Sequence, residues 1–179
     1  MQKTTPFTCH SARLELVPLT PEYLRLWIDD LPALEAKLNA KYCGEYLDIL
    51  RDIIAEQLNL MPYFDETQDR EYAWYTFWMI IQKDTREIIG SFDVKSGIDK
   101  DGRLEIGYGL GTAYGHHGYM TETVKEFLTW AFRDPRVSGV IAETERDNIR
   151  SQNVLKRCGF SLTSENETLW WLCPKPTEA

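Results

Sequence analysis

With 179 residues, 43% hydrophobic and 27% charged, the chain has the composition of one compact globular domain with a sizeable core. No apolar run approaches the ~20 residues of a membrane span, and Met1-Gln2-Lys3-Thr4-Thr5-Pro6 lacks the apolar stretch of a secretory leader. A formal net charge of −8 argues against a sequence-independent nucleic-acid binder; it suits cationic partners such as amines or basic peptides, or serves solubility alone.

There are no repeats, low-complexity tracts or linkers, so residues 1–179 are read as a single domain. Arg13-Leu14-Glu15-Leu16-Val17 alternates as a short strand. Thr20-Pro21 then opens a helix, with Thr20 as N-cap and Pro21 at the first helical position. From Pro21 to about Met61 the pattern is helical, with Ile49, Ile53, Ile54 and Leu58 on one stripe, and Pro62 ends it. Asp65 to Arg70 reads as a polar loop. Trp74 to Ile81 and Arg86 to Val94 form a hairpin around Lys83-Asp84-Thr85, and a third strand, Arg103 to Leu110, follows the turn Ile98 to Gly102. The order then becomes helix (Gly118 to Phe132), strand (Ser138 to Glu143), helix (Asn148 to Cys158) and two strands (Phe160 to Thr163, Thr168 to Cys173). Strands that meander and then alternate with helices imply an α/β fold, a central mixed sheet flanked by helices.

The chemistry gathers between Leu104 and Phe160. Apolar residues at Met120, Val124, Phe127, Leu128, Ala131 and Phe132 pack one helix on the sheet. Its N-terminus is approached by Tyr114-Gly115-His116-His117-Gly118, where glycines let backbone N–H groups come close to an anion and the helix dipole favours a phosphate. Taken alone, this is also what a plain glycine-bearing loop looks like. The preceding strand sets Leu104, Ile106, Tyr108 and Leu110 on one face and Glu105, Gly107 and Gly109 on the other. Two glycines in a strand indicate a bulge or close approach by a ligand, or a core strand facing bulky neighbours. Glu105 on that face is either a general base toward an amine or an ordinary salt-bridged glutamate.

Asp147 or Asn148 caps the next helix, Ser151 shares the face of Asn148, and Gly159 with Phe160 ends it. Asn148 can bond an amide or serve only as the cap; Ser151 can bond an amide, protonate a leaving thiolate, or face solvent. His116 and His117 are read as polar loop residues near the phosphates, and no metal site is expected. Cys9, Cys43, Cys158 and Cys173 lack metal-ligand spacing and read as reduced, mostly buried thiols of a cytoplasmic protein. Phe77, Trp78, Trp170 and Trp171 read as core or sheet-surface residues.

The joint pattern resembles the GNAT N-acetyltransferase superfamily, and most closely its ribosomal-protein N-terminal acetyltransferase branch of the RimJ/RimL type. The matching pieces are Glu105-Ile106-Gly107-Tyr108, Gly118-Tyr119-Met120-Thr121-Glu122, Ala131-Phe132, Asn148 with Ser151, Val154-Leu155…Gly159-Phe160, and the opening Arg13 to Thr20. The resemblance implies the acyl-CoA N-acyltransferase fold and acetyl-CoA as co-substrate, with an acceptor amine on a protein N-terminus or a small molecule such as a polyamine or aminoglycoside. A catalytically silent acyl-CoA-binding module is the alternative of a different class. Pantetheine would lie in a splayed sheet and bond the backbone of Gly109, Leu110 and Gly111. The pyrophosphate would sit on N–H groups of Gly115, His116, His117, Gly118, Tyr119 and Met120. Asn148 would contact pantetheine or help order the site, and Ser151 would lie near the sulfur as general acid. The superfamily's phosphate motif is often Arg or Gln, two residues, Gly, one residue, then Gly or Ala. Here Gly115 and Met120 hold the outer places and only the central Gly118 is kept. Since backbone does the binding, the site is expected to survive. The acceptor region, roughly Asp29 to Arg70, is the least typical; Asp65-Glu66-Thr67-Gln68-Asp69 is a candidate acidic rim or a solvated loop. Monomer and homodimer both remain open, with the last strand a possible dimer edge.

Overall fold

The structure, a computed structural model, describes residues 7–61 and 70–177. Its strands are β1 (Cys9–His10), β2 (Leu14–Pro18), β3 (Lys41–Tyr42), β4 (Phe77–Gln82), β5 (Glu87–Val94), β6 (Arg103–Leu110), β7 (Gly139–Thr144), β8 (Ser161–Glu165) and β9 (Leu169–Pro174). Its helices are α1 (Pro21–Asp29), α2 (Leu31–Leu38), α3 (Leu47–Leu60), α4 (Tyr119–Ala131) and α5 (Ile149–Arg157). The strands form one mixed sheet in the order β1-β2-β4-β5-β6-β7-β9-β8, with β3 pairing alongside β5. This is the expected mixed sheet with helices on its faces.

Alternation along β4 shows how the layers are built. Phe77, Met79 and Ile81 point to a core under α1, α2 and α3 that also holds Trp27, Leu34 and Ile54. Trp78 and Ile80 point to the opposite core under α4, where the Trp78 and Phe92 rings stack 5.2 Å apart and Phe127 meets Trp78 edge-on. A strand covered on both faces carries a continuous apolar run, which is why Phe77–Ile81 shows no polar alternation.

The helical stretch expected from Pro21 to Met61 is three helices and a short strand. Asp30 breaks it first: its side chain accepts from the Ala33 N–H, so it caps α2, and Pro32 fits the first turn. Asn39 ends α2 in the left-handed conformation that asparagine tolerates. Thr20 caps α1 as expected, accepting from the Tyr23 N–H at 3.3 Å. The stripe on α3 is also corrected. Leu50, Ile54 and Gln57 face inward, whereas Ile49 is 66% and Ile53 48% exposed. The buried Gln57 amide sets this rotation, because it donates to the carbonyls of Tyr75 and Val94. Pro62 and the acidic run Asp65 to Asp69 lie outside the described residues.

The feature that positions the site is a strand pair that separates. β6 runs parallel to β7 only from Arg103↔Gly139 to Ile106↔Ala142. Beyond Ile106 the two part: β6 continues beside β5 to Leu110, and β7 stays with β9 to Thr144. On the far side of the opening, β3 lies parallel to the start of β5 through Lys41↔Glu87 and Tyr42↔Ile88. It thus takes the place along β5 that β6 leaves at Leu110, and brings Cys43, Gly44 and Glu45 against Gly109 and Gly111.

Candidate active site

The opening between β6 and β7 is a cleft of about 610 Å³. Gly109, Leu110, Gly111, Gly115, His116, Gly118, Tyr119, Met120, Asn148 and Ser151 all line it. His117 is not among its walls; its carbonyl accepts from Arg13 Nη1 at 3.0 Å and its ring packs on Tyr119.

At one end the loop 115–118 turns into α4. His116 (φ 66°) and Gly118 (φ 76°) both sit in the left-handed region, which folds the loop tightly over the helix start. Gly118 is the N-cap and offers no side chain to the helix. Tyr119, Met120 and Thr121 open α4, so their N–H groups have no acceptor within the helix. These unused donors at the positive end of a helix form an anion seat. Arg150 and Arg157 of α5 add cationic charge to the cleft wall. The turn is pinned from outside: Arg13 Nε bonds Glu122 Oε2 at 2.7 Å, and its guanidinium lies 4.4 Å from the Tyr119 ring centroid. Burial pushes the Glu122 carboxyl up, but hydrogen bonds from Arg13 and Ser11 outweigh it and hold the group below its ordinary value.

In the middle, the Gly111 N–H goes to the Ile89 carbonyl of β5 at 2.9 Å. Neighbouring N–H groups alternate along a strand, so that of Leu110 points the other way, into the opening left by β7. Tyr108 and Ser151 meet beside it, with their hydroxyls 2.8 Å apart. Burial raises the Tyr108 phenol to about 12 against the opposing hydrogen bond from Ser151, so it stays protonated at neutral pH. Asn148 lines the cleft and also caps α5, accepting from the Ser151 N–H at 3.1 Å.

The opposite face of β6 carries carboxylates. Glu105 is engaged by Lys95 Nζ at 2.7 Å and does not reach the cleft wall. Asp93 of β5 crosses over Gly107, where a Cβ would stand 2.7 Å from its Oδ1. Burial, reinforced by the charges of Glu105 and Glu45 and opposed chiefly by Lys95, raises Asp93 to about 6. Glu45 lies over Gly109, lines the cleft, and is pushed up by burial. Sequence reasoning missed Glu45, Asp93, Tyr108 as a hydroxyl donor, and the two arginines. Gly107 and Gly109 were the only signal that something had to lie close to that face.

Fold and cleft together define the acyl-CoA N-acyltransferase class. Residues 13–161 match the acetyltransferase (GNAT) domain, and the chain belongs to that family. It is an acetyltransferase. It is 28% identical over 163 residues to the uncharacterized N-acetyltransferase YjdG of Bacillus subtilis (strain 168), covering 84% of this chain and 94% of that protein. Its fold is similar to that of RimL, the ribosomal L7/L12 alpha-N-protein acetyltransferase solved with coenzyme A, at TM-score 0.65 and 15% identity, over 94% of this chain and 98% of that one. It is likewise similar to the ribosomal-protein-S5-alanine acetyltransferase from Vibrio fischeri, at TM-score 0.65 and 14% identity, over 94% and 97%. Among the described residues, no helix is long and apolar enough to cross a membrane, and no three His, Cys, Asp or Glu side chains gather to hold a metal ion.

Proposed function

We infer that this cytoplasmic chain transfers the acetyl group of acetyl-CoA to the free α-amine of a peptide or protein N-terminus. The observation that carries the reading is the run of backbone groups along one opening, from Leu110 through Gly115–Met120, with the Tyr108–Ser151 hydroxyl pair beside it. RimL, named as a ribosomal L7/L12 alpha-N-protein acetyltransferase, and the Vibrio fischeri ribosomal-protein-S5-alanine acetyltransferase support a protein acceptor.

Acetyl-CoA supplies a thioester carbon that an amine attacks directly. The N–H groups from Gly115 to Met120 take the pyrophosphate, and Arg150 and Arg157 neutralise its charge. Gly109 and Gly111 turn their N–H groups to β5, so the backbone of Leu110 holds pantetheine and its N–H polarises the carbonyl. Asn148 keeps the start of α5, and with it Ser151, in place. Ser151 and Tyr108 deliver a proton to the departing sulfur. Glu105 lies on the opposite face of β6, paired with Lys95 at 2.7 Å. Much of the rate comes from holding the two substrates together.

Glu45 on the cleft wall favours a second acceptor class, the polyamines, since its carboxylate attracts a cationic chain. Acetyl-CoA-dependent thiol release decides between them. Peptides with free serine or alanine N-termini are expected to drive release at least about tenfold faster than spermidine or aminoglycosides at equal concentration. The reverse ranking would move the protein to small-amine acetylation.

A further inference from the structure

Resting on that reading, we propose that Glu45, not Glu105, takes the proton from the acceptor amine.

Three observations carry this. First, Glu45 is a wall of the cleft and Glu105 is not. Second, Glu105 is committed to Lys95 at 2.7 Å, and a carboxylate neutralised by an ammonium is a weak proton acceptor. Third, Gly109 is bare where Glu45 lies: an added Cβ would stand 2.1 Å from Glu45 Oε2 and 2.4 Å from Oε1. The carboxylate therefore rests flat on the backbone one residue before Leu110, whose N–H faces the thioester position.

β6 then divides the chemistry. On its α4/α5 face the Tyr108–Ser151 hydroxyls stand ready to give a proton. On its glycine face Glu45, a wall of the cleft, stands ready to receive one. The nitrogen bonds the acetyl carbon as one of its protons passes to Glu45. The C–S bond breaks, and its electron pair leaves on the sulfur, which takes a proton from Tyr108. Glu45 then gives its proton to water and Tyr108 regains one, so an amine and a thioester become an amide and a thiol. Burial raises Glu45, the direction that suits a proton acceptor in this step.

The test compares Glu45→Gln with Glu105→Gln, using an alanine-first hexapeptide and spermidine as acceptors and measuring acetyl-CoA affinity by calorimetry. Glu45→Gln is expected to lower kcat by ~10²- to 10⁴-fold with acetyl-CoA affinity within about twofold of the wild type; Glu105→Gln loses about tenfold or less. Formate is expected to restore part of the activity of Glu45→Ala, since a small carboxylate can fill the space and do the same work. Gly109→Ala supplies a second check. Its methyl displaces only the flexible end of Glu45, so the fold persists while kcat falls. Wild-type kcat in Glu45→Gln, a loss confined to KM, or a loss of acetyl-CoA affinity in that variant would overturn the proposal. Silence of the wild type toward both acceptors would overturn the reading beneath it instead, and the proposal with it.

Discussion

Gly118→Val weakens acetyl-CoA binding by about 10- to 1000-fold while the protein stays folded. Gly118 adopts φ 76°, and nothing crowds it: the nearest atom to an added Cβ is Arg13 Nη2 at 3.6 Å. The effect therefore comes from conformation and not from a clash. A β-branched residue in the left-handed region costs ~1–2 kcal/mol. The loop can relieve that strain by rotating the peptide, which turns its N–H groups away from the seat at the start of α4. Each hydrogen bond to a charged group is worth ~1.5–3 kcal/mol, and every 1.4 kcal/mol is about tenfold in affinity. Losing one bond at ~1.5 kcal/mol gives the bottom of that range, and losing two at ~2 kcal/mol each gives the top. Calorimetric titration with acetyl-CoA, paired with thermal unfolding, measures both parts. An unchanged dissociation constant would mean that the anion seat is elsewhere.

Tyr108→Phe lowers kcat by ~10²-fold, Ser151→Ala by about tenfold, and the double variant no further than Tyr108→Phe alone. The two hydroxyls are 2.8 Å apart and act as one relay, so their losses do not add. A general acid is worth ~10²–10⁴ in rate. Phenylalanine keeps the ring packed against the core under α4 and removes only the donor. Because burial raises the Tyr108 phenol to about 12, the neutral form is the donor and persists well above neutral pH. The kcat profile therefore shows no alkaline loss attributable to Tyr108 between about pH 7 and 10. Saturating both substrates isolates this step. Additive losses in the double variant would show two independent donors.

The sequence reading succeeded where a local rule decides the outcome. Strict alternation placed β6 at Arg103–Leu110, its exact bounds, and the run of apolar residues from Met120 placed α4 on the sheet. Gly118 was legible only through its neighbours, since a glycine before an amphipathic helix is by itself also an ordinary loop. What failed needed information from distant segments. The face of α3 is chosen by Gln57 reaching Tyr75 and Val94, and no period within the helix encodes that. Glu45 arrives beside Gly109 because a two-residue strand, β3, pairs with β5 more than forty positions on. Glu105 was placed on the right face, but the identity of its partner depends on the register of β5, which sets Lys95 beside it.

The central claim is that acetyl-CoA lies in the opening between β6 and β7 with its pyrophosphate on the start of α4. Amide hydrogen exchange with and without acetyl-CoA tests it most directly. The account predicts slowed exchange at the N–H groups of Leu110 and of Gly115 to Thr121, with little change along β2 or α2. Protection centred elsewhere, or catalytic turnover with no protection at these amides, would contradict it.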